Sequence, residues 1–243
     1  MKMLRFAGRV TKEILRDPSN LAFGLGFPVV LLLILSAIQA NIPVSIFEID
    51  NLAPGMTIFG LSFMTLFSAQ IIAKDRESTF LQRLYATPMT SADFILGYTL
   101  PQLPLAMLQS LICFLAAIPL GLHCSWKILL AVAANIPAAL FFIGLGLLFG
   151  SILNPKQVGG LCGALITNLT AIFSGIWFDL SLVGGFLEKL GNAMPFLHAV
   201  QIEILVFSGS SERLGAHFAV VAAYGVGALI LAILLFLRQM KKN

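Results

Sequence analysis

The chain has 243 residues, of which 58% are hydrophobic and only 11% are charged. A soluble domain carries about 25% charged residues, so this composition, with a mean hydropathy of +0.95, excludes an ordinary soluble protein and indicates an integral membrane protein. The net charge of +4 is modest, and because no basic stripe is interleaved with aromatic residues, we do not expect nucleic acid as a partner.

Residues 1–19 predict an amphipathic helix. Apolar residues recur there at helical spacing, with Lys and Arg between them: Met3, Phe6, Ala7, Val10, Ile14 and Leu15. Such a helix lies on the inner leaflet, with Val10 facing lipid and Arg9 facing water, and Pro18 ends it. The alternative is an ordinary positively charged flank that happens to be helical.

Six apolar runs follow, each about as long as a membrane-spanning helix needs to be. They cover residues 21–40, 52–73, 96–120, 128–151, 158–177 and 214–237. None of them alternates like a strand, so the fold class predicted is an all-α polytopic membrane protein with six transmembrane helices.

The distribution of Lys and Arg predicts the orientation. With six spans, the N-terminus, residues 74–93, Lys156 and the C-terminus share one side and hold most of the basic residues. The other side holds only three, which are Lys127, Lys189 and Arg213. The positive-inside rule then places both termini in the cytoplasm of a multi-pass protein of the plasma membrane.

Residues 74–93 are charged and amphipathic, although they lie between two apolar runs. One predicted helical face carries Phe80, Leu81, Leu84 and Tyr85, and the polar residues around it are Asp75, Arg76, Glu77, Gln82 and Arg83. Pro88 limits this helix. An apolar ridge with flanking charges suits a groove on a soluble partner, and the alternative is a helix packed flat on the membrane or on the chain's own spans.

The same segment resembles the cytoplasmic-loop signature of ABC-2 type transporter permeases, the transmembrane domain of type V ABC exporters. The matching residues are Arg76, Glu77, Leu81, Arg83, Leu84 and 86–88, and a looser match covers 194–200 ahead of the last span. The sequence departs from the family pattern at Thr79, Phe80 and Gln82. The resemblance implies one ABC-2 domain over residues 1–243, with 74–93 as its coupling loop.

The resemblance also implies a set of contacts with an ABC ATP-binding subunit. The residues expected to couple to that subunit are Asp75, Arg76, Glu77, Phe80, Leu81, Arg83 and Leu84. ATP and Mg would be bound by the partner, and no cofactor is expected in this chain, since no Lys follows a Gly as a phosphate-binding P-loop requires. A second copy or a paralogue would complete a dimer in the membrane lipid.

Residues 178–213 separate the last two spans and are too apolar for a free loop. We expect a re-entrant hairpin of two short helices that dips into the outer leaflet, as in permeases of this family. A seventh span at 196–207 is rejected because twelve residues are too few. The charged residues of the hairpin are expected at the interface or in local pairs: Asp179, Glu188, Lys189 and Glu203.

The predicted spans hold almost no ionisable residue, which argues against a proton-coupled carrier or an ion pump. The fifth span instead concentrates neutral polar residues, namely Thr167, Asn168, Thr170 and Ser174. They are candidates for the translocation path or the dimer seam, with Asn168 the best single one. The alternative is ordinary hydrogen bonding between helices, and Gly146 and Gly150 form a common helix-packing motif.

Neither a metal site nor an enzyme site is indicated. Cys113, Cys124 and Cys162 have no paired spacing, and the three histidines lie far apart in sequence. The function predicted is the permease subunit of an ATP-driven exporter for a lipophilic or amphiphilic cargo, such as a drug-like antibiotic, a peptide or a lipid-linked molecule. The alternative is a membrane anchor or sensor that recruits a cytoplasmic ATPase or other protein without transport.

Overall fold

The structure is a computed structural model that describes residues 2–42, 45–78, 80 and 89–242. Within these ranges the secondary structure is helical and no strand occurs. The predicted all-α polytopic fold class is therefore confirmed.

Thirteen α-helices are described in these ranges. The first five are α1 (Lys2–Leu15), α2 (Pro18–Leu21), α3 (Phe27–Asn41), α4 (Ile49–Glu77) and α5 (Ser91–Ala117). The next four are α6 (Lys127–Ala134), α7 (Ile136–Gly150), α8 (Pro155–Val158) and α9 (Thr167–Phe173). The last four are α10 (Leu180–Val183), α11 (Gly185–Ala193), α12 (Pro195–Ser208) and α13 (Leu214–Lys242). π-helical turns join α2 to α3 (Ala22–Gly26) and α8 to α9 (Gly159–Ile166).

Five helical stretches of the described chain are long and apolar enough to cross a membrane, or six if the bent pair α11–α12 is counted as one. The five are Pro18–Asn41, Ile49–Glu77, Ser91–Leu120, Lys127–Gly150 and Leu214–Gln239. They correspond to five of the six predicted spans. Most of their ends extend a few residues beyond the apolar runs. At the C-terminus of α4, the added residues Asp75 and Arg76 bind neighbouring helices.

The predicted fifth span, 158–177, does not qualify by length and composition. Its helical residues run without interruption from α8 through the π-helical turn to α9, so they begin three residues earlier and end four residues earlier than predicted. Lys156 and Gln157 in its first turn and Asn168 near its middle lower its hydropathy. This stretch nevertheless connects opposite ends of the bundle, since Leu153 lies beside Arg76 and Ser174 shares a cavity with Asn51.

Helix α4 is the centre of the bundle, and most of its residues are buried. It packs closely on α7, because a Cβ atom at Gly146 would lie 2.4 Å from the Thr65 carbonyl oxygen. At Gly150 a Cβ atom would lie 2.5 Å from the Ala69 carbonyl oxygen. The predicted glycine packing motif thus lets two backbones approach, and the Thr65 hydroxyl donates to the Phe142 carbonyl at 3.0 Å.

The bundle has two distinct ends. At one, which we call the basic end, α1, the C-terminus of α4 and residues 150–153 meet, and Gln239 of α13 donates to the Ser151 carbonyl at 2.7 Å. The opposite end holds the hairpin. The four segments that carry most of the Lys and Arg therefore gather at one end of the fold, as the charge count requires.

Helices α11 and α12 form a hairpin bent by 69°. Glu188 of α11 lines a cavity with Asn51 at the start of α4, and Phe207 near the end of α12 shares another cavity with Asn51. Both limbs therefore open at the same end of the bundle, which is the geometry of a re-entrant hairpin and not of a span.

Candidate functional site

Helix α1 is anchored to the bundle through its apolar face. Val10 is fully buried, and Phe6 is 6% exposed with its ring edge-on to Tyr98 at 4.8 Å between centroids. The prediction that Val10 faces lipid is wrong, since this face packs on α5. Leu4 and Leu15 are the exposed large apolar residues that α1 leaves for a membrane surface.

A buried charge network joins α1, α4 and α5. Asp75 on the last turns of α4 is 2% exposed. Arg9 donates to both of its carboxylate oxygens, at 2.5 and 2.6 Å, and the Tyr98 hydroxyl donates to Oδ2 at 2.7 Å. Three donors converge on one carboxylate, so α1 cannot leave the bundle without exposing an unpaired charge.

The outer part of the network is more exposed. Arg9 also pairs with Glu13 at 2.9 Å, and its guanidinium lies over the Phe80 ring at 4.1 Å from the centroid. Burial lowers the pKa of Arg9, but its bonds to Asp75 more than offset this and leave the pKa raised. Burial raises the pKa of Glu13, although Arg9 pulls in the opposite direction.

A second set of polar contacts ties the start of α2 to α4. Lys74 lies 3.6 Å from the Asp17 carboxylate. The Asn20 amide donates to Asp17 at 2.8 Å and to Gln70 at 2.7 Å. Asp17 also caps the first turn of α2 through the Asn20 backbone N–H. The turn between α1 and the first long apolar stretch is thereby fixed to the same helix as the Asp75 network.

Arg76 and Glu77 lie outside the Asp75 network. Arg76 donates to the Gly150 carbonyl at 2.9 Å and to the Leu153 carbonyl at 3.2 Å. Gly150 is the last residue of α7, where a cation is favoured by the helix dipole, and Leu153 lies just beyond it. Glu77 is exposed. Of the residues predicted to couple, Asp75 and Arg76 therefore bind the chain's own helices, whereas Glu77 is open to a partner.

The rest of the predicted coupling set is described only in part. Phe80 is half-buried between Arg9 and the edge of the core. Leu81, Arg83 and Leu84 lie outside the described residues. Thr90 and Asp93 form a reciprocal capping box that begins α5, with the Thr90 backbone donating to the Asp93 carboxylate at 2.9 Å. The role of this set in docking an ATP-binding subunit stays a prediction.

A groove of about 750 Å³ lies on the outer side of α1. Its lining residues are Arg5, Gly8, Arg9, Lys12, Glu13, Arg16, Asp17 and Lys74. Basic side chains outnumber acidic ones, and the acidic ones are already paired with Arg9 and Lys74. The exposed surface beside the charge network is thus positively charged.

The four predicted path or seam residues divide into two groups. Three are buried and bond to their own helix: Thr167 to the Gly163 carbonyl at 2.6 Å, Thr170 to Ile166 at 2.8 Å and Ser174 to Ala171 at 3.3 Å. Asn168 is exposed on the surface of the single chain and donates to the Ala164 carbonyl at 2.8 Å. The structure therefore does not bring the four to one face.

Ser174 also belongs to the hairpin end. A cavity of about 360 Å³ there is lined by polar side chains from four segments, among them Asn51, Ser174, Asp179, Glu188, Asn192 and Gln201. Sequence reasoning missed this cavity, because its lining residues come from segments up to 150 positions apart (51 to 201). The concentration of polar residues in an otherwise apolar hairpin was the available signal.

Glu203 corrects the prediction that the charged residues of the hairpin stay at the interface or in local pairs. It is fully buried, and among the described residues neither carboxylate oxygen has a hydrogen-bond partner. Because α12 packs on α4, α6 and α13, its middle lies inside the bundle. The apolar residues of α12 determine which face of the helix is buried, and Glu203 lies on that face.

The fold and this site define a polytopic α-helical membrane protein whose basic end joins an N-terminal helix to its central helix. The model of the ABC-2 type transporter family matches residues 4–206, which is most of the chain. The chain therefore belongs to the ABC-2 type transporter family, as the sequence resemblance predicted. A comparison with curated protein sequences gives no match.

This membership settles the general role. The chain is a membrane permease component of an ABC transporter and is distinct from the ATP-binding domain. Permeases of this family generally work with an ATP-binding subunit.

Proposed function

We propose that this chain is the permease subunit of an ATP-driven exporter, and that its basic end receives the force of a separate ATP-binding subunit. That subunit binds ATP and Mg, and the basic end faces the cytoplasm of the plasma membrane. The cargo is lipophilic or amphiphilic, and it moves outward. Family membership and the arrangement of the basic end support this proposal.

The carrying observation is the Asp75 network. A docked ATPase pushes or pulls on Glu77, the last residue of α4, and on Phe80 just after it. Asp75 and Arg76 fix that end to α1, α5 and α7 through short polar contacts. Force applied there is passed to several helices at once instead of bending a loose helix end.

The character of the bundle surface supports an apolar cargo. The first long stretch, Pro18–Asn41, and the last, Leu214–Gln239, bury little of their surface within the single chain. Many of their exposed side chains are large and apolar, including those of Phe23, Ile34 and Leu231. Such surfaces face lipid or a second subunit, and a cargo that partitions into lipid can reach a path between them.

A dimer fits the surface that carries Asn168. Gly160, Ala164 and Asn168 recur every fourth residue and are exposed, and a Cβ atom at Gly160 would meet nothing within 4 Å. Small residues at this spacing let two membrane helices approach, and an Asn amide there can bond across them. We therefore place the seam between two permease copies or paralogues on this face.

Co-expression with an ATP-binding subunit tests the proposal. The complex is purified, reconstituted in proteoliposomes and assayed for ATP hydrolysis and for ATP-dependent movement of a fluorescent amphiphile. Glu77→Lys is expected to weaken association with the ATPase and to lower hydrolysis several-fold, because an exposed charge at the docking surface is reversed. Glu212→Lys, the same reversal at an exposed residue of the hairpin end, is expected to leave both unchanged.

Each result has a clear consequence. If Glu77→Lys and Phe80→Ala bind the ATPase as tightly as the native chain, the basic end is not the docking surface. If the ATPase binds but no amphiphile moves under any condition, the chain is an anchor that recruits the ATPase, and the export proposal fails.

A further inference from the structure

The hairpin end holds a buried polar cluster that the proposed function does not use. Glu203 on α12 is its centre, with Cys113 on α5 and Asn135 between α6 and α7 beside it, and Gln109 of α5 contacts Cys113. All four are at most 1% exposed. We propose that this cluster is a proton-binding site, in which Glu203 holds one proton as a neutral carboxylic acid while α12 is seated in the bundle.

The contacts within the cluster leave acceptors without donors. Gln109 donates its amide to the Cys113 sulfur at 3.3 Å, and Asn135 donates to the Ser110 hydroxyl at 3.4 Å. Among the described residues, the Gln109 carbonyl oxygen and both Glu203 oxygens have no hydrogen-bond partner. Protonation of Glu203 turns one of its two unpartnered oxygens into a donor and removes the charge from the other.

The charge balance points the same way. An ionised carboxylate buried without a partner costs several kcal/mol even after the protein relaxes. Burial raises the pKa of Glu203, and the nearby Asn135 amide opposes this by a smaller amount, although its hydrogen bond goes to Ser110. Cys113 also lies near the carboxyl group, and neither Asn135 nor Cys113 carries a positive charge. A single proton removes the charge, and no group of three His, Cys, Asp or Glu that could hold a metal ion occurs in the described chain.

The cation at the end of α12 is already engaged by a backbone carbonyl. Lys127 on α6 donates to the Phe207 carbonyl at 2.6 Å, so it caps the C-terminus of α12 one turn beyond Glu203. On α4, Asp50 lines a cavity of about 380 Å³ together with Lys127 and Phe207. On α11, Glu188 lines the cavity beside Gln201, and on α13, His217 contacts His198 of α12 at 2.7 Å. The described groups on the neighbouring helices therefore leave the Glu203 charge uncompensated.

The site lies in a part of the fold that is suited to opening. The hairpin enters and leaves at the same end, and the cavity of about 360 Å³ lies beside α12. Movement of α12 toward water exposes Glu203 and lets it ionise, and its return to the bundle requires a proton. Seating of the hairpin is thereby linked to proton uptake, independently of which cargo the permease carries.

Infrared spectroscopy of the full chain in lipid nanodiscs tests the proposal directly. The native protein at pH 7 is expected to show the carbonyl stretch of a protonated carboxyl group, which Glu203→Gln removes. Glu212→Gln, which neutralises an exposed carboxylate at the same end, is the matched control and is expected to retain the band. Glu203→Gln is close in shape to the protonated acid and is expected to fold.

Stability against pH gives a second readout. Between the ordinary Glu pKa of about 4.3 and the pH at which Glu203 ionises, only the folded state binds this proton. The unfolding equilibrium constant of the native chain should therefore rise about tenfold per pH unit relative to that of Glu203→Gln.

Two outcomes overturn the proposal. In the first, Glu203→Gln removes no protonated-carboxyl band from the spectrum, and the stabilities of the native protein and of Glu203→Gln change in parallel with pH. The other is a Glu203 carboxylate band that shifts when Na⁺ replaces K⁺, which would make the cluster a cation site. If Glu203→Gln does not fold, the wild-type spectrum between pH 5 and 9 decides, because the proposal requires the band at neutral pH.

Discussion

Breaking the Arg9–Asp75 pair from either side should give unequal effects. Asp75 is 2% exposed, whereas the Arg9 side chain is 36% exposed. Arg9→Gln leaves a buried carboxylate with only the Tyr98 hydroxyl and a weak amide donor. Asp75→Asn leaves a guanidinium that water can still reach and that keeps Glu13 at 2.9 Å. Arg9→Gln should therefore destabilise the protein more than Asp75→Asn does, although Arg9 is the more exposed residue of the pair.

The magnitudes follow from what each change leaves behind. An uncompensated buried charge costs about 3–5 kcal/mol, so Arg9→Gln should lower the melting temperature in detergent by on the order of 10 °C. Asp75→Asn loses hydrogen bonds to a charged group, worth about 1.5–3 kcal/mol, so its shift should be about half as large. The double variant should be less damaging than the sum, since the two residues form one network.

Thermal unfolding followed by circular dichroism, with Arg5→Gln as a control for an exposed Arg on α1, checks this order. Arg5→Gln should shift the melting temperature by no more than about 1–2 °C, which corresponds to the roughly 0.5 kcal/mol typical of surface changes. Equal shifts for Arg9→Gln and Asp75→Asn, or the reverse order, would show that the carboxylate is not the buried member on which α1 depends.

Two further predictions concern the membrane part of the fold. Gly146→Ala should destabilise the bundle by about 1–3 kcal/mol through overpacking against the Thr65 backbone, whereas Gly227→Ala, where a Cβ atom meets nothing within 4 Å, should be neutral or stabilising; melting temperatures of the two variants check this. Asn168→Leu should weaken dimerisation in lipid, measured by energy transfer between labelled copies, while Thr167→Val should not, because Thr167 bonds within its own helix; equal association would remove Asn168 from the seam.

The long helices could be predicted from the sequence because each apolar run must satisfy its backbone hydrogen bonds internally. The end of α4 could not. Residues 74–77 were placed in a loop on account of their charges, but Asp75 is neutralised by Arg9, 66 positions away, and Arg76 caps α7. Sequence spacing carries no information about such distant partners, so helix ends were the least accurate part of the prediction.

The burial of single residues is equally hard to predict from the sequence. An apolar stripe that contains Val10 looks the same whether it faces lipid or another helix, and only the folded contacts, such as the rings of Phe94 and Tyr98 beside Phe6, distinguish the two. Glu203 was expected at the surface because an acid is rarely buried without a partner. Burying the Glu203 carboxyl group costs free energy, and the packing of α12 does not require an acid at this position. The burial of Glu203 therefore indicates a role for its carboxyl group.

The two polar clusters are connected by one helix. Helix α4 carries Asp75 near its C-terminus. Nearer its N-terminus, α4 packs on α12, the helix that carries Glu203. At 1.5 Å per residue its 29 residues span about 43 Å, and at Gly146 and Gly150 it lies in close contact with α7. A displacement imposed at the basic end therefore reaches the hairpin end along one helix. If the ATPase moves α4, the seating of α12 and the proton on Glu203 are the first properties at the far end to respond.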